Sequence, residues 1–594
     1  MRPGHSGPGP ARDMAGDRKT NIFRTFGCLA FSLSAFSAPL AAQTGDAVPL
    51  PAADPPSAAS LCPAGDYPAF YPDPAVFERA LSETAAIDPW PETVTGLTLP
   101  HHLVVPEMIA GGYRLASAQK PNRILLLMPD HFRALKAPFG TSARGYQTVL
   151  GRVPGDPAAK ALLLPGLIEE SCLFGTDHAI RSHLPFAARL LPDVPVLPIA
   201  VNLNSLAADW QLLVDRLSPL MTPDTLIVQS TDFSHYLPAW QARQRDQEVL
   251  NLLAAGDTEQ MRNLRQPEHV DSVGANWLQV KLQQRHHHAA PIVLANRNQQ
   301  DLSAAPLAET TSYMVILYSP KPTENPAAPF PGSDVHMIGG DFFLGRSWPK
   351  FLHDEVISAR IETALLRATG GAKLILNLEG SLLPEPPANL PHLTLAAPSD
   401  LALGWAKRLN VVGFGLANNH VHDLGASGAA QTEIALRTAN LAFARQGEAL
   451  DLGPIRLVAL SDFARKAPGQ PQLTPALLDH LVHPDPAVPV IAFVHWGAEY
   501  QSEPSQREID LALDMARRGV TAVIGAHPHV ASEQPRALEG GAVLLVYSLG
   551  NFMFDQRAPP SSGALAELRS FAQGTIFVRQ LPLPDAFNQA LKRE

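Results

Sequence analysis

Five segments decide how the second half of this 594-residue chain is read: MIGGDFFLGR (Met337–Arg346), LILNLEG (Leu374–Gly380), GFGLANNHVHDLG (Gly413–Gly425), VIAFVHWGAEY (Val490–Tyr500) and AVIGAHPHVASEQ (Ala522–Gln534). LLVYSLGNFMFDQ (Leu544–Gln556) closes the series. In each of the five, a short β-prone run ends in Asp, Glu, Asn or His, usually beside Gly. Open α/β sheets carry their ligands beyond the carboxyl ends of the strands, so these side chains are expected to converge although they lie far apart in sequence. The set is Asp341, Glu379, Asn419, His420, His495, His527 and His529. Carboxylate oxygens, an amide oxygen and imidazoles are the donors that one or two divalent transition metals require. His527-Pro528-His529 reads as an extended segment that sets two imidazoles on one face, because side chains alternate with period two. Taken singly, His495 suits a structural strand end and Asn419-His420 suits a turn. Five such ends in one segment point to a metal centre.

Working outward, the composition is that of a globular protein of more than one domain, with 46% hydrophobic and 17% charged residues. A net charge of −10 with no basic patch argues against a nucleic-acid partner. Residues 1–42 read as a secretory signal: Arg18, Lys19 and Arg24 precede the apolar Phe26–Ala42, and polar residues begin at Gln43. A periplasmic or envelope location is therefore expected, with membrane contact only through that segment if it stays uncleaved. Of three cysteines, Cys62 and Cys172 would remain after cleavage, and the sequence leaves open whether they pair.

An Ala/Pro-rich linker spans 43–66, a first domain 67–319, a Pro-rich linker 320–333, a second domain 334–582, and a tail 583–594. Each domain is expected to fold alone. In the first, apolar runs at Arg123–Phe132, Val194–Val201, Thr225–Tyr236 and Thr310–Tyr318 alternate with helical patterns such as Trp240–Gly256. That alternation predicts an α/β fold with a largely parallel sheet. Its strand ends offer His101, His102, Asp130, His131, Asp232 and His235, with Asp271 further on. Two imidazoles and one carboxylate make the facial triad of non-haem iron, whereas Asp232 and its neighbours would equally suit the N-cap of a following helix. His286-His287-His288 reads as a solvated loop.

Two family resemblances rest on these motifs. GGD, NLEG, ANNHVHDLG (Ala417–Gly425), HWGAEY, GAHPHV and SLGNF follow the order of the CapA family of poly-γ-glutamate capsule proteins, so residues 334–582 resemble that family. The resemblance implies a calcineurin-like metallophosphatase α/β sandwich. Where metallophosphatases start with Asp-x-His, this chain has Asp341-Phe342-Phe343, so one imidazole is missing and the cation nearer Asp341 would be the weaker. LPHHL, MPDHF, TDHAIRSHLPF and STDFSHY resemble the Memo-like family, also called AmmeMemoRadiSam system protein B, over residues 67–318. That family is similar in fold to class III extradiol dioxygenases. Its Pro-His-Ala-Gly stands here as Pro100-His101-His102-Leu103, and its pocket Cys-Gly as Asp271-Ser272. The resemblance implies His101, His131 and Asp271 as metal ligands and Asp232 and His235 as pocket residues. An aspartate in place of a thiolate favours iron, manganese or zinc.

The function expected is that of an exported metalloprotein joining both modules. It would carry out metal-dependent hydrolysis or handling of an anionic envelope or capsular polymer, or of a small phosphorylated or amide-linked substrate. His420 would be the acid that protonates the leaving group, and Arg346 and Arg557 are the basic candidates at the rim. The competing readings are a non-enzymatic polymer-binding or assembly factor of capsule biosynthesis, and iron-dependent oxidation in the first domain.

Overall fold

The computed structural model describes residues 65–87, 93–320, 332–391, 393–463, 473–556 and 562–591. The proposed signal, Cys62, most of both linkers and Arg557 lie outside the described residues. Cys172 is disulfide-bonded. Among the described residues, no helix is long and apolar enough to cross a membrane.

The first half is built on a nine-stranded sheet. Its order is Ala290–Asn298, Thr310–Ser319, Gly96–Leu99, Thr225–Ser230, Arg123–Pro129, Val196–Val201, Phe139–Thr141 and Ile168–Glu170, with Phe233–Leu237 added against Thr310–Ser319. The four central strands are parallel and the hairpin at one edge is antiparallel. Alternation along Arg123–Pro129 splits its side chains between two cores. Ile124, Leu126 and Met128 meet Ile109, Tyr113 and Phe186 on one face. Leu125 and Leu127 meet Trp210, Leu213 and Trp277 on the other. Asp232 does not cap a helix: a short strand, Phe233–Leu237, follows it. The three histidines at 286–288 are not all solvated either. Gln283 bonds to both the hydroxyl and the carbonyl of Thr95, a π turn spans Gln283–His287, and His287 is buried.

The second half is an α/β sandwich. One sheet runs Ala442–Ala444, Val411–Gly415, Lys373–Leu378, Ser333–Phe342, Gly563–Phe571, Ile576–Leu583, with Asn551–Met553 joining Ser333–Phe342. The other runs Ala449–Asp451, Arg456–Ser461, Val490–His495, Val520–Ala526, Val543–Val546, Arg536–Leu538. Ile338 and Ile375 from the first sheet pack with Ile491, Phe493 and Ile524 from the second to form the central core. Helices cover both outer faces through Ile361, Leu365 and Trp405 on one side and Ala512 and Met515 on the other. Capping fixes their limits: Asp354 accepts from Val356 and Ile357 at the start of Glu355–Thr369, and Gly370 ends it in the left-handed region. The expected tail is partly structured, with Ala586–Leu591 forming a helix whose Phe587 packs on Trp348 and Phe351.

The two halves share a core. Ala537, Phe571 and Phe577 belong to the hydrophobic cluster of Val249, Leu253 and Trp277. Ile576–Leu583 is an edge strand of the sandwich, and a bare edge leaves backbone groups unpaired. Gln247, on helix Ala239–Ala255, donates to the Ile576 carbonyl and accepts from its N–H, each at 2.9 Å. Asn251 donates to the Gly541 carbonyl at 2.8 Å, and Gln573 donates to Asp246 at 3.0 Å. Phe577→Ala is expected to cost about 3–5 kcal/mol, the usual range for emptying a buried aromatic site. Denaturant unfolding followed by fluorescence should show one transition shifted for both halves. An unfolding midpoint moved only in the second half would mean that the shared cluster contributes little.

Candidate metal centres

The strands deliver the second-half residues to one end of the sandwich. Asp341 lies at the end of Ser333–Phe342, Glu379 follows Lys373–Leu378, His495 ends Val490–His495, and His527 follows Val520–Ala526. Gly340 permits the close approach there, since a Cβ would meet the Gly550 carbonyl oxygen at 1.9 Å. Asp341 Oδ2 is 3.3 Å from His529 Nδ1 and accepts the His527 N–H at 3.1 Å. Asp341 Oδ1 is 3.7 Å from His495 Nδ1, and His495 Nε2 is 2.8 Å from Asn419 Oδ1. Ligand atoms of Glu379, His527 and His529 lie within 4.8 Å of one another. His420 Nε2 is 3.7 Å from Glu379, and its Nδ1 bonds to Asp423 at 2.7 Å. All seven residues singled out from the sequence therefore meet in one centre.

The local geometry corrects one expectation. His527 and His529 do not lie on an extended segment: their φ values are 98° and 60°. Both occupy left-handed backbone, which costs a non-glycine residue on the order of 1–3 kcal/mol and persists where the surroundings over-determine it. The turn is held by the Asp341 bond to the His527 N–H and by Tyr500, whose N–H donates to the Pro528 carbonyl.

Neither oxygen of Glu379, buried to 1% exposure, receives a hydrogen bond from the protein. Burial, and then the charge of Asp341, push its carboxyl up to about 7. Burial alone would lower His529. The hydrogen bond that His529 donates to Asp341 and the charges of Glu379 and Asp341 outweigh it and hold the imidazole at about 9. Burial, reinforced by His527 and His529, keeps His495 well below the usual histidine range, so it is neutral and able to ligate. A buried carboxylate with no donor, 4.0 Å from the neutral His495, fits a divalent cation.

Three supporting residues escaped the sequence reading. Asn377 donates to Asp341 Oδ1 at 2.8 Å and stands 3.1 Å from His495 Nδ1. Asn551 Oδ1 is 2.8 Å from His529 Nδ1, and Asp423 orients His420. Each lies inside a motif already singled out, NLEG, SLGNF and NNHVHD, and the strand-end rule passed over it in favour of its neighbours. Phe343 stands two residues after Asp341, at the sequence position where the Asp-x-His pattern has its histidine. It packs 5.5 Å from Phe554 with the Arg346 guanidinium over its ring, and Arg346 is paired to Asp555 at 2.7 Å.

The first half has its own cluster. Ligand atoms of His101, His131 and Asp271 lie within 4.8 Å of one another. His101 Nε2 is 3.5 Å from Asp271 Oδ2, and His235 Nε2 is 3.2 Å from Asp271 Oδ1. Asp232 Oδ1 accepts the His101 N–H at 3.1 Å, and its Oδ2 is 2.8 Å from His102 Nδ1. His131 Nδ1 bonds to Asp177 at 2.9 Å, the carboxylate–imidazole pairing that orients a metal ligand. His101 Nε2 is buried without a hydrogen bond. The donor set suits a cation of the iron, manganese or zinc kind.

Residues 64–306 match the family described as Memo-like protein, and residues 482–556 match Bacterial capsule synthesis protein PGA_cap. The first half is Memo-like and the second half CapA-like. The capsule biosynthesis protein CapA of Bacillus anthracis is 30% identical over 193 residues, which are 28% of this chain and 46% of that protein. The PGA biosynthesis protein CapA of Bacillus subtilis (strain 168) is 27% identical over 214 residues, 32% of this chain and 55% of that protein. A MEMO1 family protein of Aquifex aeolicus (strain VF5) is 28% identical over 146 residues, 24% of this chain and 54% of that protein. The chain thus spans about half the length of the curated relatives it matches.

Each half carries one imidazole held near 9. In the Memo-like half it is His131, where the bond and charge of Asp177 override the lowering effect of burial. A cation binds only deprotonated ligands, so at pH 7 uptake should expel about one proton from His131, about one from His529, and about half of one from Glu379. Affinity should therefore rise as the pH is raised from 6 toward 9. Calorimetric zinc titration in buffers of differing ionisation enthalpy measures this release. No buffer dependence at pH 7 would show that these groups are not displaced by the cation.

Proposed function

We propose that the CapA-like half binds one or two divalent cations through Asp341, Glu379, Asn419, His495, His527 and His529, and hydrolyses an anionic envelope or capsular substrate. The observation that carries this reading is Glu379, a fully buried carboxylate with no hydrogen-bond donor of its own, facing His527 and His529. When bound, the cation supplies the charge that polarises the scissile group and lowers the pKa of the attacking water. The chain's own residues do the rest. Glu379 would be a ligand to the cation, and to both where two are bound. Asp423 fixes the Nδ1 of His420, which directs Nε2 toward Glu379 and makes His420 the proton donor to the leaving group. Arg346, at the rim, would meet the negative charge of the polymer once released from Asp555.

Two relatives named for capsule and PGA biosynthesis support a substrate of that kind, phosphorylated or amide-linked. In the Memo-like half, His101, His131 and Asp271 would hold a cation with an open position, bordered by Asp232 and His235. The chain would act outside the cytoplasm, in the periplasm or envelope, after removal of residues 1–42. A panel assay tests the hydrolytic reading. The full-length protein, supplied with Mn²⁺ or Zn²⁺ and then with chelator, is offered a generic phosphodiester and poly-γ-glutamate. Cleavage that chelator abolishes is expected. Tight metal and polymer binding with no cleavage of any substrate would replace hydrolysis by a role in holding or assembling the polymer.

A further inference from the structure

We infer that Tyr500 is a positioning residue of the CapA-like centre, and that it sets His529 through a hydrogen-bonded chain of two amides, Gln556 and Asn551. Asn551 Oδ1 lies 2.8 Å from His529 Nδ1. Its Nδ2 donates to Gln556 Oε1 at 3.3 Å, and Gln556 Nε2 donates to the Tyr500 hydroxyl oxygen. The hydroxyl proton goes in turn to the Glu499 carboxylate, on an exposed residue. Every link joins a donor to an acceptor, so the chain runs in one direction from the imidazole out to the surface.

That direction decides which nitrogen of His529 is left for a cation. An amide oxygen only accepts, so Nδ1 must carry a proton, and Nε2 is the nitrogen free to ligate. The same two amides turned over would make a second complete chain. Tyr500 would then donate to Gln556, Gln556 to Asn551, and Asn551 Nδ2 would face His529 Nδ1 as a donor. Nδ1 would have to accept, and the proton would sit on Nε2, closing that nitrogen to a cation. Acceptors at the two ends select the first chain. Glu499 takes the phenol proton at one end, and Asp341 Oδ2, 3.3 Å from Nδ1, takes the imidazole proton at the other. Hydrogen bonds behind a ligating imidazole act in this way, by fixing its tautomer and the direction of its ring.

Tyr500 also reaches the histidine turn along the backbone. Its N–H donates to the Pro528 carbonyl at 2.7 Å, between the two histidines. Tyr500 itself has φ 65°, in the left-handed region that a bulky residue adopts only where its surroundings hold it. Its ring stands 6.4 Å from that of His529, and the Phe554 ring, 4.8 Å away, packs on the same imidazole. One residue thus holds both the turn that carries His529 and the nitrogen that His529 spends on the protein.

This inference rests on the reading that His529 is a ligand, and the test separates the two. Zinc binding to the full-length protein is followed by equilibrium dialysis, and the sites of the CapA-like centre are those that His529→Ala weakens. Tyr500→Phe keeps the backbone bond and the ring and removes only the hydroxyl. It should weaken those sites by about threefold to tenfold, below the roughly 10–100-fold usual for a direct partner of a ligand, because two amides intervene. In an Asn551→Ala background the same change should have no further effect, since the chain is already cut. A second readout uses the zinc-loaded protein labelled with ¹⁵N-histidine. The Nδ1–H signal of His529, identified by its absence in His529→Ala, should exchange with water faster in Tyr500→Phe. A hydroxyl with a merely structural role would move the melting temperature and leave that exchange unchanged. Unchanged zinc affinity and exchange in Tyr500→Phe, or an equal loss with and without Asn551, overturns the chain and leaves His529 a ligand. Full zinc affinity in His529→Ala overturns both.

Discussion

His529→Ala is expected to lower the affinity of the CapA-like centre for its tighter cation by at least about a hundredfold, because altering even residues behind the ligands costs 10–100-fold. The imidazole is placed from two sides. Asn551 Oδ1 at 2.8 Å holds Nδ1, and Asp341 Oδ2 lies 3.3 Å from the same nitrogen. Nδ1 is thus spent on the protein, and Nε2 is left to meet Glu379 and His527. Alanine removes the ligand and, of the charges that favour ionised Glu379, the one with the largest effect. His527→Ala should have a similar effect, since it removes the other imidazole of the same group. Asn551→Ala should weaken binding less, by loosening the ring rather than deleting it. Equilibrium dialysis against Zn²⁺ or Mn²⁺ reads all three. Equal retention by His529→Ala and the natural protein would remove this histidine from the ligand set.

His420→Ala should spare the cations and reduce turnover by about 10²–10⁴-fold, the range that general acid catalysis contributes. His420 faces the centre from outside the group formed by Glu379, His527 and His529, with Nε2 3.7 Å from Glu379. Its other nitrogen is tied to Asp423, whose Oδ2 also accepts the Leu395 N–H at 2.8 Å. Asp423→Asn should therefore lower turnover as well and flatten the pH dependence, through loss of ring orientation. The two readouts are metal content and the rate on whichever panel substrate the natural protein cleaves. A His420→Ala variant with full metal and full rate would leave the pocket as a binding site without this acid.

Much of the centre was legible because ligand chemistry and strand ends are local properties. Asp341, Glu379, His495 and His527 each follow an apolar run, and parallel strands in each sheet bring their ends to one edge. The alternating pattern likewise announced an α/β fold in the first half. Asn377 was passed over because it lies inside the strand, two residues before Glu379, and only the register of Ser333–Phe342 against Lys373–Leu378 sets it beside Asp341. His178 and Asp177 stood in a recognised motif, but nothing local says that a short helix will aim them at His131.

The sequence by itself determined the residue types, their order and the two α/β halves, since hydrophobic periodicity and donor chemistry are written along the chain. Tertiary structure decided three further things. It set His527 and His529 in left-handed backbone, because the bonds to Asp341 and Pro528 that hold the turn come from distant segments. It joined the halves through Gln247, Asn251 and Phe577, because the need to cover an edge strand appears only once the sheet exists. It brought His102, His178 and Asp232 into one pocket, because long-range convergence depends on how strands are ordered in the sheet, and no periodicity along the chain encodes that order.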